Sequence, residues 1–204
     1  MPLAAFAGLG LGLSLIVAIG AQNLFVLRQG LRREHVLLVA AICAASDAVL
    51  IVLGVSGVGL VLQAVPWLVE AVRWAGAAFL VGYGLLAAHR AWRPSGRALQ
   101  VRETDVAPAR ALPVALTCLA LTWLNPHVYL DTVFLLGTVA STHGDARWAF
   151  AAGAVLGSVL WFLGLAVGAR YLSRWLSTPR AWRVLDAVIA LVMVALAVSL
   201  VLPR

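Results

Sequence analysis

An all-α integral membrane protein, with about six transmembrane helices in two inverted three-helix repeats, is the fold class this sequence predicts. Composition comes first. Of 204 residues, 63% are hydrophobic and 11% are charged, whereas about a quarter are charged in ordinary soluble domains. Second, six apolar stretches can be drawn, at 3–27, 36–62, 66–88, 111–141, 147–170 and 182–202. Each matches the roughly 20 helical residues that cross a bilayer. Third, one long polar segment, 91–110, divides them three and three. An odd number of spans per half makes the second half enter from the opposite side, which is the inverted-repeat design.

The elements follow in order. Stretch 3–27 opens without a basic segment and is longer than the apolar core of a signal peptide, so it reads as a permanent span. It carries Gly20-Ala21-Gln22-Asn23 and ends on Arg28, Arg32 and Arg33, with Gly30 expected to stop the helix. Stretch 36–62 has no charged side chain except Asp47. In 66–88, Glu70 and Arg73 are three apart and should pair near the membrane surface. The segment 91–110, with Pro94-Ser95-Gly96, reads as a mobile cytoplasmic linker between repeats 1–90 and 111–204, which together form one transmembrane domain.

The fourth stretch contains Asn125-Pro126. Proline lacks an amide donor and pushes the preceding residue toward extended geometry. Asparagine at the cap and proline at the first helical position also make a good helix start. Residues 126–141 are therefore expected to form a half-helix beginning inside the membrane, its free amides presenting partial positive charge. Each half thus opens with an amide cluster, and spans 1 and 4 are predicted to be broken or kinked. In the sixth stretch, Asp186 lies three residues after Arg183 and is expected to pair there.

The net charge of +7 comes from arginine alone. Twelve of the fifteen arginines (28, 32, 33, 90, 93, 97, 102, 110, 170, 174, 180 and 183) fall between spans 1 and 2, 3 and 4, or 5 and 6. The positive-inside rule places those segments in the cytoplasm and both termini outside. The charge is a topology signal and gives no reason to invoke nucleic acid. A five-span arrangement, with the N-terminus inside and span 1 partly re-entrant, is the rival. Glycines four apart (Gly8 and Gly12, Gly153 and Gly157, Gly164 and Gly168) suit close helix packing. Trp67, Trp92, Trp148, Trp175 and Trp182 suit an interfacial belt, while Trp123 and Trp161 lie deeper.

Asp47 and Asp131 carry the functional reading. A carboxylate at bilayer depth costs roughly 2.5–3.5 kcal/mol on insertion scales. Such acids are kept where they meet a proton, a cation or a polar partner. The half-helix start at Asn125-Pro126 can hold a carboxylate. His127 and Asp131, four apart, form a relay or hydrogen-bonded pair, without a third ligand for a metal. Tyr129, Thr132, Ser46, Gln22, Asn23 and Trp161 complete the candidate binding set. Cys43 and Cys118 read as small buried hydrophobes. Neither a phosphate loop, a thiolate metal cluster nor a catalytic triad can be drawn from spacing, so no enzyme and no cofactor is expected.

Three strings are similar to signature segments of the LysE/ArgO family of bacterial amino-acid exporters. They are Gly20-Ala21-Gln22-Asn23-Leu24-Phe25-Val26 with Arg28-Gln29-Gly30, Cys43-Ala44-Ala45-Ser46-Asp47, and Thr122-Trp123-Leu124-Asn125-Pro126-His127-Val128-Tyr129-Leu130-Asp131-Thr132. The resemblance implies export of arginine and/or lysine across the bacterial inner membrane, driven by a proton or membrane-potential gradient. Its intramembrane acids fall on Asp47 and Asp131, and its amide motifs on Gln22-Asn23 and Asn125-Pro126. Relatives often carry asparagine where this chain has Asp186.

The residues and the resemblance lead to one mechanism. Protons and a cationic substrate compete for the same buried carboxylates, because burial favours a neutral acid and a bound cation favours the ionised one. The expected partners are a small cationic amino acid, protons and the lipid bilayer; a homodimer is one assembly this allows. Two rivals stay open: an exporter of another solute, such as a neutral amino acid or a metal cation, and a membrane thiol-redox carrier.

Overall fold

The computed structural model describes residues 1–18, 20–57, 66–92, 110–173 and 178–202. Residues 93–109, which hold most of the predicted linker, lie outside this set, as does Trp175. Among the described residues the chain is helical throughout, without a strand. In chain order the helices are α1 (Pro2–Ile16), α2 (Ala21–Arg32), α3 (Val36–Val55), α4 (Pro66–Trp92), α5 (Ala111–Trp123), α6 (Pro126–Ser141), α7 (Arg147–Leu172) and α8 (Pro179–Val201). Helices α3, α4, α7 and α8 are each long and apolar enough to cross a membrane, and two bent pairs bring the count to six. Those pairs are α1–α2, bent by 80°, and α5–α6, bent by 58°. They are the two spans expected to break.

Each break leaves helix-end carbonyls that no water in a bilayer core can satisfy. In both, a side chain from the second piece reaches back to the first. Asn23 Nδ2 donates to the carbonyls of Ile16 and Ala18, each at 2.7 Å. The Tyr129 hydroxyl donates to the Trp123 carbonyl at 2.8 Å. Gly20 is extended at the start of α2 (φ −129°, ψ 173°), and Asn125 is extended before its proline (φ −100°, ψ 106°). The Asn125 side chain caps α6, accepting from the His127 amide at 3.2 Å. Within α6, Tyr129–Leu135 widens to π-helical geometry, a local change that often accompanies a functional site.

The packing is reciprocal between the chain halves. Pieces α1 and α2 follow α7 in the same direction. Gly8 meets Phe150, Gly12 meets Ala154, Asn23 meets Trp161, and Gly30 meets Ala169. At the far end Arg33 Nε donates to Ser173 Oγ at 3.1 Å. Pieces α5 and α6 follow α3 in the same way, with Cys118 on Cys43, Trp123 on Ser46, and Gly137 on Gly54. Helices α3 and α7 touch each other, and α4 pairs antiparallel with α8 through Gly84 against Met193 and Arg90 against Asp186.

Two glycine expectations need correcting. Gly30 does not stop α2; the helix continues to Arg32 and closes on Arg33 in the left-handed region (φ 57°). Gly30 instead lets α7 approach, since a Cβ there would collide with that of Ala169. Gly164 and Gly168 face open space, unlike Gly153 and Gly157, which pack on α1. Glu70 and Arg73 pair as expected at 3.4 Å, and Glu70 also accepts from the Trp74 indole at 2.7 Å.

Candidate functional site

Asp47 sits halfway along α3 and is 4% exposed. Its Oδ2 accepts a hydrogen bond of 2.7 Å from the Ser158 hydroxyl of α7. No ion pair reaches it among the described residues. A carboxylate enclosed by apolar helices with one hydroxyl for company has most of its hydrogen-bonding capacity unused. Spacing gave no reason to single out Ser158. Its signal was that of a polar residue beside Gly157 in an otherwise apolar span, a common packing feature.

Other candidates cluster around this crossing. The Trp161 indole donates to Asn23 Oδ1 at 3.1 Å, so one asparagine joins both pieces of span 1 to α7. The Trp123 indole donates to Ser46 Oγ at 3.2 Å. Gln22 lies beside the Cys43 thiol, and its Nε2 is buried without a hydrogen-bond partner among the described residues. Cys43 and Cys118 are both fully buried, free, and 3.3 Å apart at sulfur. They are small buried side chains, as expected, but they face each other across the two halves. Neither their spacing nor their place in spans 2 and 4 suggested that pairing.

The α6 residues are arranged differently. Asp131 lies in the π-helical stretch and is half-buried, with His127 on the same helix face within electrostatic reach. Neither a hydrogen bond nor an ion pair joins Asp131 to His127 or to Asp47. Asn125 Oδ1 and the hydroxyls of Tyr129 and Thr132 are engaged with nearby backbone: the His127 amide, the Trp123 carbonyl and the Val128 carbonyl. Pro126 is buried at the start of the helix. Backbone contact holds the segment in place, because a Cβ on Gly54 of α3 would run into the Thr132 and Val133 carbonyls.

Asp186 departs from expectation. Its ion partners are Arg28 of α2 and Arg90 of α4, at 3.3 and 3.2 Å, while Arg183 is exposed. Residues three apart on a helix are only neighbours; the convergence of α2, α4 and α8 decides the contact.

A family model described as LysE type translocator matches residues 13–204. Among curated proteins, "Putative amino-acid transporter Rv0488" of Mycobacterium tuberculosis is 49% identical over 186 residues, covering 91% of this chain and 90% of that one. "Arginine exporter protein ArgO" of Klebsiella pneumoniae subsp. pneumoniae is 42% identical over 190 residues, covering 92% and 88%. The protein of the same name from Salmonella enteritidis is 41% identical over 197 residues, covering 96% and 92%. No solved structure matches the chain. A helical bundle with two broken spans, an enclosed intramembrane acid and a family match over nearly its whole length together place this chain: it belongs to the LysE type translocator family and is a multi-pass membrane transporter, not an enzyme.

Proposed function

We propose that the protein exports basic amino acids, arginine and/or lysine, from the cytoplasm. The observation that carries this reading is Asp47, enclosed where α3 meets α7 with a serine hydroxyl as partner and no ion pair among the described residues. A carboxylate at that depth suits a positively charged small molecule. The names of the arginine-exporting relatives point the same way. In this reading Asp47 and Asp131 receive the substrate's cationic groups, and the amide-rich start of α6 faces its α-carboxylate. Protons compete for the same carboxylates, which couples export to the proton or membrane-potential gradient.

The reciprocal packing of α1–α2 on α7 and of α5–α6 on α3 supports two inverted three-helix repeats, 1–90 and 111–204. Contacts running from Gly8 to Arg33 along the whole of α7 support a span 1 that crosses completely. With the arginine-rich ends inside, both termini then lie outside a bacterial inner membrane. Alternating access follows from rocking of the repeats about the central acid.

The experiment is efflux of labelled arginine and lysine from loaded proteoliposomes, with and without a pH gradient. Asp47→Asn is expected to abolish efflux while the variant remains folded in detergent; efflux at the wild-type rate overturns the assigned role. The contact between Cys43 and Cys118 gives a thiol-redox carrier a geometric footing. Full burial of both sulfurs argues against exchange with a partner. The Cys43→Ser/Cys118→Ser variant decides: retained amino-acid efflux removes that rival.

A further inference from the structure

Arg28, Arg90 and Asp186 form a second charge cluster, with Arg28 and Asp186 buried and Arg90 about a third exposed, at the arginine-rich end of the molecule. Asp186 is 7% exposed and Arg28 8%. Both arginines approach the same oxygen, Oδ1, and both through Nε. Arg90 Nε donates a hydrogen bond at 3.2 Å. Arg28 Nε is 3.3 Å away, but its N–H makes no hydrogen bond among the described residues. Among those residues Arg90 Nη2 is also buried without a partner, and so is the hydroxyl of Tyr83, over whose ring the Arg90 guanidinium lies at 5.8 Å.

This is an under-made contact. Two guanidiniums share one largely buried carboxylate side-on, and the cluster carries an excess positive charge. The strong arrangement for a guanidinium on a carboxylate is the fork, with two parallel N–H bonds to two oxygens. Neither arginine makes it. A free guanidinium arriving at Asp186 can make it, and so displaces them on better terms. An ammonium arriving there offers a point charge without the fork.

We propose that Asp186 is a docking site for the guanidinium of an incoming substrate. Its exchange for Arg28 and Arg90 releases α2 from α4 and α8 and opens that end of the transporter. The clasp that closes the mouth is then undone by the chemical group the transporter carries, and arginine undoes it better than lysine. The freed arginines are left with unpaired donors that suit the substrate's α-carboxylate. This rests on the reading of the protein as a basic amino-acid exporter.

The test is export of arginine and of lysine by the purified full-length protein in proteoliposomes, with half-saturating concentration and maximal rate measured separately. Asp186→Asn is expected to raise the half-saturating arginine concentration about a hundredfold, the weight of the fork's two charge-assisted hydrogen bonds. Lysine should change by only about tenfold, since its ammonium makes one such bond and no fork. Arg90→Gln, which removes a competitor for Asp186, is expected to lower the arginine value instead. Asp186→Glu keeps a carboxylate and should keep the preference for arginine. It also serves as the probe if the asparagine variant fails to fold. Equal losses for both substrates, or no change in either, overturn the docking role. A wild-type protein that exports neither amino acid sinks the export reading and this proposal with it. Wild-type export of both, matched by Asp186→Asn, sinks this proposal alone.

Discussion

The two broken spans solve one problem by different means. Span 4 is broken covalently: Pro126 removes a donor, Asn125 is forced extended and its side chain caps the new helix. Span 1 contains no proline at its break. It turns more sharply, by 80° against 58°, and the turn is bridged by Asn23, which bonds the last carbonyl of the first piece, the Ala18 carbonyl beyond it and the Trp161 indole of α7. One break is written into the backbone. The other depends on a single side chain and on its neighbour in the opposite half. Breaks at corresponding places in the two halves of the chain need not be equally robust.

That difference can be sharpened or broken. The largest effect is expected from freezing one side. Oxidising the touching Cys43 and Cys118 thiols to a disulfide, with a small membrane-permeant two-electron oxidant that takes up both hydrogens, fixes the first piece of span 4 to α3; span 1 has no matching pair. Export should stop and return on reduction, with mass spectrometry confirming the bond and Cys43→Ser remaining insensitive. Next is Asn23→Leu, which strands two carbonyls and an indole N–H; a loss of about 2–3 kcal/mol is expected from unfolding titrations in detergent. Asn125→Ala should cost less, about 1 kcal/mol, because it removes one cap while the proline keeps the break. Equal losses for these two would end the distinction between a backbone break and a side-chain break. Trp161→Phe and Trp123→Phe should be mildest, near 0.6 kcal/mol each, the average for a hydrogen bond between membrane helices.

What the chain disclosed before folding tracks this same division. The Asn125-Pro126 break was readable because proline geometry is local. The span 1 break was readable only as an amide cluster in an apolar run. Gly30 looked like a helix stop and is a packing site, because whether glycine ends a helix depends on what presses against it. The depth of Asp47 followed from hydropathy alone, but its partner Ser158 lies 111 residues away on a helix whose rotation no pattern fixes. The π-helical widening around Asp131 left no sequence mark. Asp186 was misassigned to Arg183 for a related reason: helical spacing was weighed where the meeting of three helices governs.

The reciprocal packing has a mechanical consequence. Each broken span leans on the long helix of the other half, so the two halves of the chain are interlocked by packing. One packed group is α1, α2 and α7; the other is α5, α6 and α3. The Asp47–Ser158 hydrogen bond runs across the joint between them. In the proposed export reading, a cargo molecule that draws Asp47 away from Ser158 loosens that joint in the act of being held.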